Sequence, residues 1–209
     1  DSLMRENIKS QFLQHSFEIE IFNAIQISKR KRNKISFFGN LELDHDFYER
    51  TQIIQEVYSR IKNFDVYSNT IKPSKLLTSK YELIKARHKS SKIIEKIFTN
   101  EKIRYWATDA SLPSNPWRLE KRLIKSIKPP LYGKEMFEKL NTYQLAFNKH
   151  NKHTGSVACN MRLFEATGMG STLITDNKCD INDYFEIDSE VVVYNNANEA
   201  VDKIKYLMN

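Results

Sequence analysis

The segment Asn160-Met161-Arg162-Leu163-Phe164-Glu165-Ala166-Thr167-Gly168-Met169-Gly170 carries the most specific chemistry in the chain. Arg162 and Glu165 are three residues apart, so a helix sets them on one face. Asn160 stands where that helix would begin. These residue types alone allow two readings. They form an ordinary ion pair on a helix surface, or an arginine beside free backbone N–H groups receives an anion.

Other groupings are weaker. His150 and His153 flank a loop near Cys159, a conceivable zinc set, but no second cysteine is suitably spaced. Asp44-His45-Asp46 is formally a D-x-D, which holds a metal when it ends a strongly apolar strand. Leu41-Glu42-Leu43 is a poor strand of that kind, and Asp46 with Glu49 reads as a capping box. No metal site is assigned. His45 and Arg50 either face a ligand from the loop that opens this helix, or tie the loop to it.

The surrounding composition bounds the partners. The chain has 209 residues, 40% hydrophobic and 28% charged, with a net charge of +7. That is a globular composition, and no apolar run approaches the ~18 residues of a membrane span. The basic balance suits an anionic partner: nucleic acid, a phosphorylated small molecule or an anionic membrane surface. Glycine is scarce at five residues, and neither G-x-G-x-x-G nor a Walker-type loop occurs, so two common phosphate cradles are excluded. Two cysteines, Cys159 and Cys179, make no disulfide scaffold and suit a reducing cytosol. The N-terminus has no apolar signal core.

These residues need elements to position them. Residues 1–34 read as a helical connector, with the basic run Lys29-Arg30-Lys31-Arg32-Asn33-Lys34 as a solvated boundary. Ile35–Phe38 is a strand stopped at Gly39-Asn40, a helix opens at Asp46, and Phe64–Tyr67 is a second strand. Ser79 opens a lysine-rich helix to about Phe98, and Pro113, Pro116, Pro129 and Pro130 break up the stretch beyond it. From Gly133 helices and strands alternate: a helix to Leu140, a strand over Leu145–Asn148, a helix from Asn160 closed by Gly168, and a strand over Ser171–Thr175. A short helix over Asp180–Phe185, a strand over Glu190–Tyr194 and a final helix capped by Asn196 complete the pattern. Apolar strands alternating with helices predict an α/β Rossmann-like fold, a parallel sheet with helices on both faces. Ligands of such sheets sit beyond the strand carboxyl ends, which points to Gly39, Asn40, the stretch from Asn148 to Asn160, and Asp176.

The helix motif N-x-R-x-F-E-A-x-G-x-G, with Leu131-Tyr132-Gly133-Lys134 and Leu145-Ala146-Phe147-Asn148-Lys149-His150 before it, resembles the C-terminal, donor-binding domain of a GT-B glycosyltransferase, in its CgeB-like branch. Ile35-Ser36-Phe37-Phe38-Gly39-Asn40 with His45 and Arg50 resembles that branch's opening strand. The resemblance covers about 35–67 and 129–209. It implies a single donor-binding domain over 35–209, preceded by the end of an acceptor-binding N-terminal domain. It also implies a sugar transferred from a nucleotide-diphosphate sugar to an acceptor glycan, lipid or protein, without a cofactor or bound metal. The cysteine usage predicts a cytoplasmic setting, and the Lys/Arg-rich segments suit contact with the inner face of an anionic membrane, in keeping with polysaccharide or cell-surface glycan synthesis.

The resemblance assigns Arg162 to the departing diphosphate, beside the helix start at Asn160, and Glu165 to the ribose hydroxyls. Asn148, His150, His45, Gly39 and Asn40 border the donor. Gly168 ends the helix, and Gly170 lets the next strand pass close to the donor. The larger retaining family has a second glutamate eight residues before this one; Val157 stands there. Two alternatives remain: a non-catalytic relic or partner half, and a nucleic-acid module built on 29–34 and 72–102. Against the latter, the aromatics are scattered among core positions rather than interleaved with the basic runs.

Overall fold

Alternation along the strands builds the core. In β1 (Arg32–Phe38) Ile35 and Phe37 enter one buried cluster while Phe38 enters another. In β3 (Tyr143–Phe147) Leu145 and Phe147 join the first cluster, and Tyr143 and Ala146 the second. The same division holds in β4 (Thr172–Asp176), where Ile174 and Leu173 part to opposite faces. With β2 (Phe64–Tyr67) and β5 (Val191–Tyr194) these strands form one five-stranded, all-parallel sheet in the order β2-β1-β3-β4-β5. Both faces are apolar, so both must be covered.

The structure, a computed structural model, describes residues 15–25, 27–28, 32–41, 48–69, scattered positions between 79 and 103, and 119–209. Helices α2 (Tyr48–Arg60) and α6 (Ala197–Met208) cover the first face through Ile54, Val57, Val201 and Ile204. On the other face α4 (Gly133–Asn141) and α5 (Arg162–Gly168) insert Met136, Leu140, Leu163 and Ala166. The short α1 (Ile19–Asn23) precedes β1, and α3 (Lys121–Ser126) buries Leu123 against the first cluster. Asn196 caps α6, its side chain accepting from the Glu199 backbone N–H at 3.0 Å.

The α/β reading therefore holds, with local differences. The first strand starts at Arg32, inside the basic run, because the Arg32 N–H reaches the Thr142 carbonyl at 2.8 Å. The predicted helix over Asp180–Phe185 is a single 3-10 turn, Ile181–Asp183. The described positions from 79 to 97 are helical, as the lysine-rich segment predicts.

Gly168 is the last residue of α5, as the sequence predicts, and Gly170 supplies the turn that closes the helix. Gly170 has φ 69°, the left-handed conformation that closes a helix. Its N–H bonds the Thr167 carbonyl at 2.8 Å, and the Ser171 N–H bonds Ala166 at 3.0 Å, the paired bonds of a Schellman ending. Gly168 is still helical, and a Cβ there would overlap the Phe17 ring. It is glycine to admit that ring.

Candidate functional site

In this strand order the chain leaves β1 for β2 on one side and returns to β3 on the other. The crevice between the carboxyl ends of β1 and β3 is the topological switch point, where open parallel sheets take their ligands. Three segments meet there: Phe38-Gly39-Asn40 after β1, Asn148-Lys149-His150 after β3, and Asp176 closing β4.

Arg162 reaches this crevice from the first turn of α5. Its guanidinium lies 5.8 Å from the centre of the Phe38 ring, and Nη1 meets the Glu165 carboxylate at 2.5 Å and the Met136 sulfur at 2.7 Å. Both charged side chains are largely enclosed, 19% and 13% exposed, so this is not a solvated surface pair. Nε of Arg162 is buried and finds no acceptor among the described residues. Burial draws the arginine's pKa below its ordinary value, opposed by the charge and hydrogen bond of Glu165.

Two clefts meet at Arg162. The larger, about 400 Å³, is walled by His15, Arg50, Asn151, Thr154, Asn160 and Glu165 among others. The smaller, about 200 Å³, has Phe38, Gly39, Asn40, Tyr67, Asn69 and Tyr132 in its wall. Phe38 and Tyr67 are register partners on β1 and β2, and their rings stack at 4.5 Å, 2° from parallel. The Tyr67 hydroxyl lies 2.9 Å from that of Tyr143, which donates to Asp65 at 2.5 Å.

A polar chain holds the α5 start against the sheet. Asn148 donates to the Thr175 hydroxyl at 2.9 Å and accepts from the Asn160 amide at 2.8 Å. The Asn160 oxygen then accepts the Arg162 backbone N–H at 2.9 Å. Asp176 gathers the neighbouring cations. One oxygen accepts from the His150 backbone N–H and faces ring Nδ1, each at 2.8 Å; the other meets Lys149 Nζ at 2.9 Å. Burial pushes the Asp176 carboxyl up, but the His150 hydrogen bonds and the Lys149 charge outweigh it and hold it far below the usual carboxylate range. Arg50 Nε donates to the Lys149 carbonyl at 2.8 Å. Burial lowers the Arg50 pKa, an effect that Asp176 offsets and Arg162 reinforces.

The residues read from the sequence thus divide. Arg162, Glu165 and Asn160 border the larger cleft, and Gly39 and Asn40 the smaller, which Arg162 joins. Asn148 and His150 are turned inward, 3% and 1% exposed, and line neither cleft. Both Asn148 amide atoms are engaged in the chain above, and the His150 ring is packed on Asp176, so each positions rather than borders. His45 lies outside the described residues. Sequence reasoning left Arg50 undecided and overlooked Phe38, Tyr67, Tyr132 and His15 as wall residues. The rule that ligands meet strand carboxyl ends could have found Phe38 and Tyr67, the last residues of their strands. Among the described residues no group of three or more His, Cys, Asp or Glu side chains gathers as a metal site, and no helix is long and apolar enough to cross a membrane.

Residues 87–209, more than half of the chain, match the family model described as glycosyl transferase-like. No curated protein matches. Among solved structures, a chain from the crystal structure of the GtfA/B complex is similar at 11% identity and a TM-score of 0.44. That alignment covers 88% of this chain and 30% of the other, so the match spans under a third of that protein's length.

Proposed function

We propose, for a chain that belongs to the glycosyl transferase-like family, that residues 35–209 are the donor-binding half of a GT-B-type, metal-independent glycosyltransferase. The donor is a nucleotide-diphosphate sugar. The acceptor is a glycan, lipid or protein presented by an N-terminal domain, in cytoplasmic synthesis of a polysaccharide or surface glycan. Kinship with the CgeB-like branch belongs to the same proposal.

One observation carries this reading: a largely buried arginine stands where two clefts join, at the carboxyl edge of the sheet's switch point. A nucleotide-diphosphate sugar has an aromatic base at one end, a ribose beside it, two phosphates in its middle and the sugar at the other end. The smaller cleft offers rings from Phe38, Tyr67 and Tyr132 and amides from Asn40 and Asn69, a fitting wall for a base. Arg162 meets the phosphates. Glu165 accepts from the ribose hydroxyls. The larger cleft, with Arg50 and Asn151 in its wall, holds the sugar-phosphate end. When the glycosyl bond breaks, negative charge grows on the leaving diphosphate. A fixed, desolvated guanidinium opposes that charge more strongly than a solvated one.

Titration of the protein with a panel of nucleoside diphosphates, read by calorimetry, tests the reading. Binding is expected for at least one base, and Arg162→Ala is expected to weaken it about 10- to 100-fold, the usual worth of one charged hydrogen bond. Unchanged affinity in a variant with a native circular dichroism spectrum would remove Arg162 from the site.

A further inference from the structure

We infer that Glu165 selects against bare phosphates: its carboxylate occupies the anion position on Arg162 until a ligand carrying a hydroxyl pair displaces it. The inference rests on the nucleotide-sugar reading and adds a selectivity to it.

Arg162 meets Glu165 at 2.5 Å, both side chains are largely enclosed, and both border the larger cleft. Among the described residues the guanidinium also meets the Met136 sulfur and the Phe38 ring, neither an anion, while its Nε has no acceptor there. A desolvated arginine of this kind, left open, would capture any phosphate that entered the cleft. Glu165 meets that demand internally.

An incoming anion must therefore separate the pair, and separation strands a carboxylate in a largely enclosed position. What the ligand offers that carboxylate decides the outcome. Inorganic pyrophosphate replaces Glu165 on the arginine but brings no pair of neighbouring hydroxyls to the freed oxygens; the proton it keeps at neutral pH sits on an anion that the carboxylate repels. A nucleoside diphosphate brings both parts: phosphate oxygens for Arg162, and two ribose hydroxyls that donate to Glu165. The cost of opening is the same for either anion, and only the second offsets it. The cleft is thereby selective for nucleotides over free phosphates without any clash against the latter.

The test compares inorganic pyrophosphate with the best-binding nucleoside diphosphate of the panel, by calorimetry on the full chain. Wild-type protein is expected to bind pyrophosphate at least about 10-fold more weakly than the nucleotide. Glu165→Gln is expected to bind pyrophosphate about 10-fold more tightly than wild type while binding the nucleotide less tightly, two shifts of opposite sign. Glu165→Asp, whose shorter side chain loosens the pair, should move both affinities the same ways by smaller factors and supplies the test if the glutamine variant misfolds. In Arg162→Ala/Glu165→Gln the pyrophosphate gain should vanish. Pyrophosphate affinity that stays level or falls in Glu165→Gln overturns the inference. So does a gain that survives the loss of Arg162, which would mark a general charge effect. Failure of wild type to bind any nucleoside diphosphate instead overturns the donor reading, and is seen separately from the pyrophosphate response.

Discussion

At the scale of single residues, Asp176 is a closely enclosed charge at the sheet edge. It holds His150 through two bonds and Lys149 through a third, and both partners follow β3 directly. Its side chain is 9% exposed and that of Lys149 13%. Removing one partner of such a pair leaves the other charge stranded, which costs about 3 kcal/mol. The folded carboxyl is held below its unfolded value of about 3.9, so the unfolded chain takes up its proton first as pH falls. The stabilisation is thus complete above the unfolded value and is lost as pH drops through the acid range below about 4. Asp176→Asn is expected to unfold about 3 kcal/mol more easily at pH 7, with the difference from wild type shrinking as the pH falls below about 4. Chemical denaturation of both proteins across that range measures it. A gap that is constant with pH would show that Asp176 acts by shape rather than charge.

At the scale of elements, α5 carries the site, and its C-terminal end fixes its angle against the sheet. Gly168 admits the Phe17 ring, which meets Phe137 edge-on with ring centres 6.1 Å apart. Gly168→Ala drives a Cβ into that ring, and overpacking of this kind costs about 1–3 kcal/mol. In a helix alanine otherwise gains about 1 kcal/mol over glycine. The substitution is therefore expected to lower the unfolding free energy by up to about 2 kcal/mol in the wild type, and to be stabilising by up to about 1 kcal/mol in a Phe17→Ala background. A thermal-denaturation cycle over the four proteins decides it; equal effects in both backgrounds would separate the two residues. The same helix shows what the sequence made legible. Its existence, its near-start at Asn160 and the shared face of Arg162 and Glu165 follow from local spacing, as do the apolar strands that make the sheet parallel. The division of labour between Gly168 and Gly170 does not, because it depends on Phe17, far upstream in the chain. Nor does the inward turn of Asn148 and His150, which requires Thr175 and Asp176 from the neighbouring strand. Proximity to a strand end is written locally, whereas the direction of a side chain there is set by the strand beside it.

At the scale of the whole molecule, the segment ahead of the sheet is packed onto it. Ile25 is 8% exposed in the second core cluster, and Phe17 and Phe22 pack against the same cluster. The Ser28 N–H donates to the Asn141 side-chain oxygen at 2.6 Å, while the Asn141 amide donates to the Met169 carbonyl at 3.1 Å. Asn141 is 2% exposed, so one buried side chain clamps this segment to the end of α5. A passive tether between two domains would leave few such contacts. Removal of residues 1–28 uncovers apolar surface on α4 and α5 and leaves the Asn141 oxygen without its donor. The apolar loss alone is about 3 kcal/mol, from one buried and two half-buried large side chains. The truncated protein is expected to melt well below the full chain, by roughly 6–10 °C at the entropy of a domain this size, and to bind a hydrophobic dye more strongly. It is also expected to lose nucleoside-diphosphate affinity, since His15 leaves the wall of the larger cleft and the end of α5 loses its clamp. A truncated protein that melts with the full chain would confine the folding unit to the residues after Ser28. One that melts lower makes the preceding segment part of the platform on which Arg162 is held.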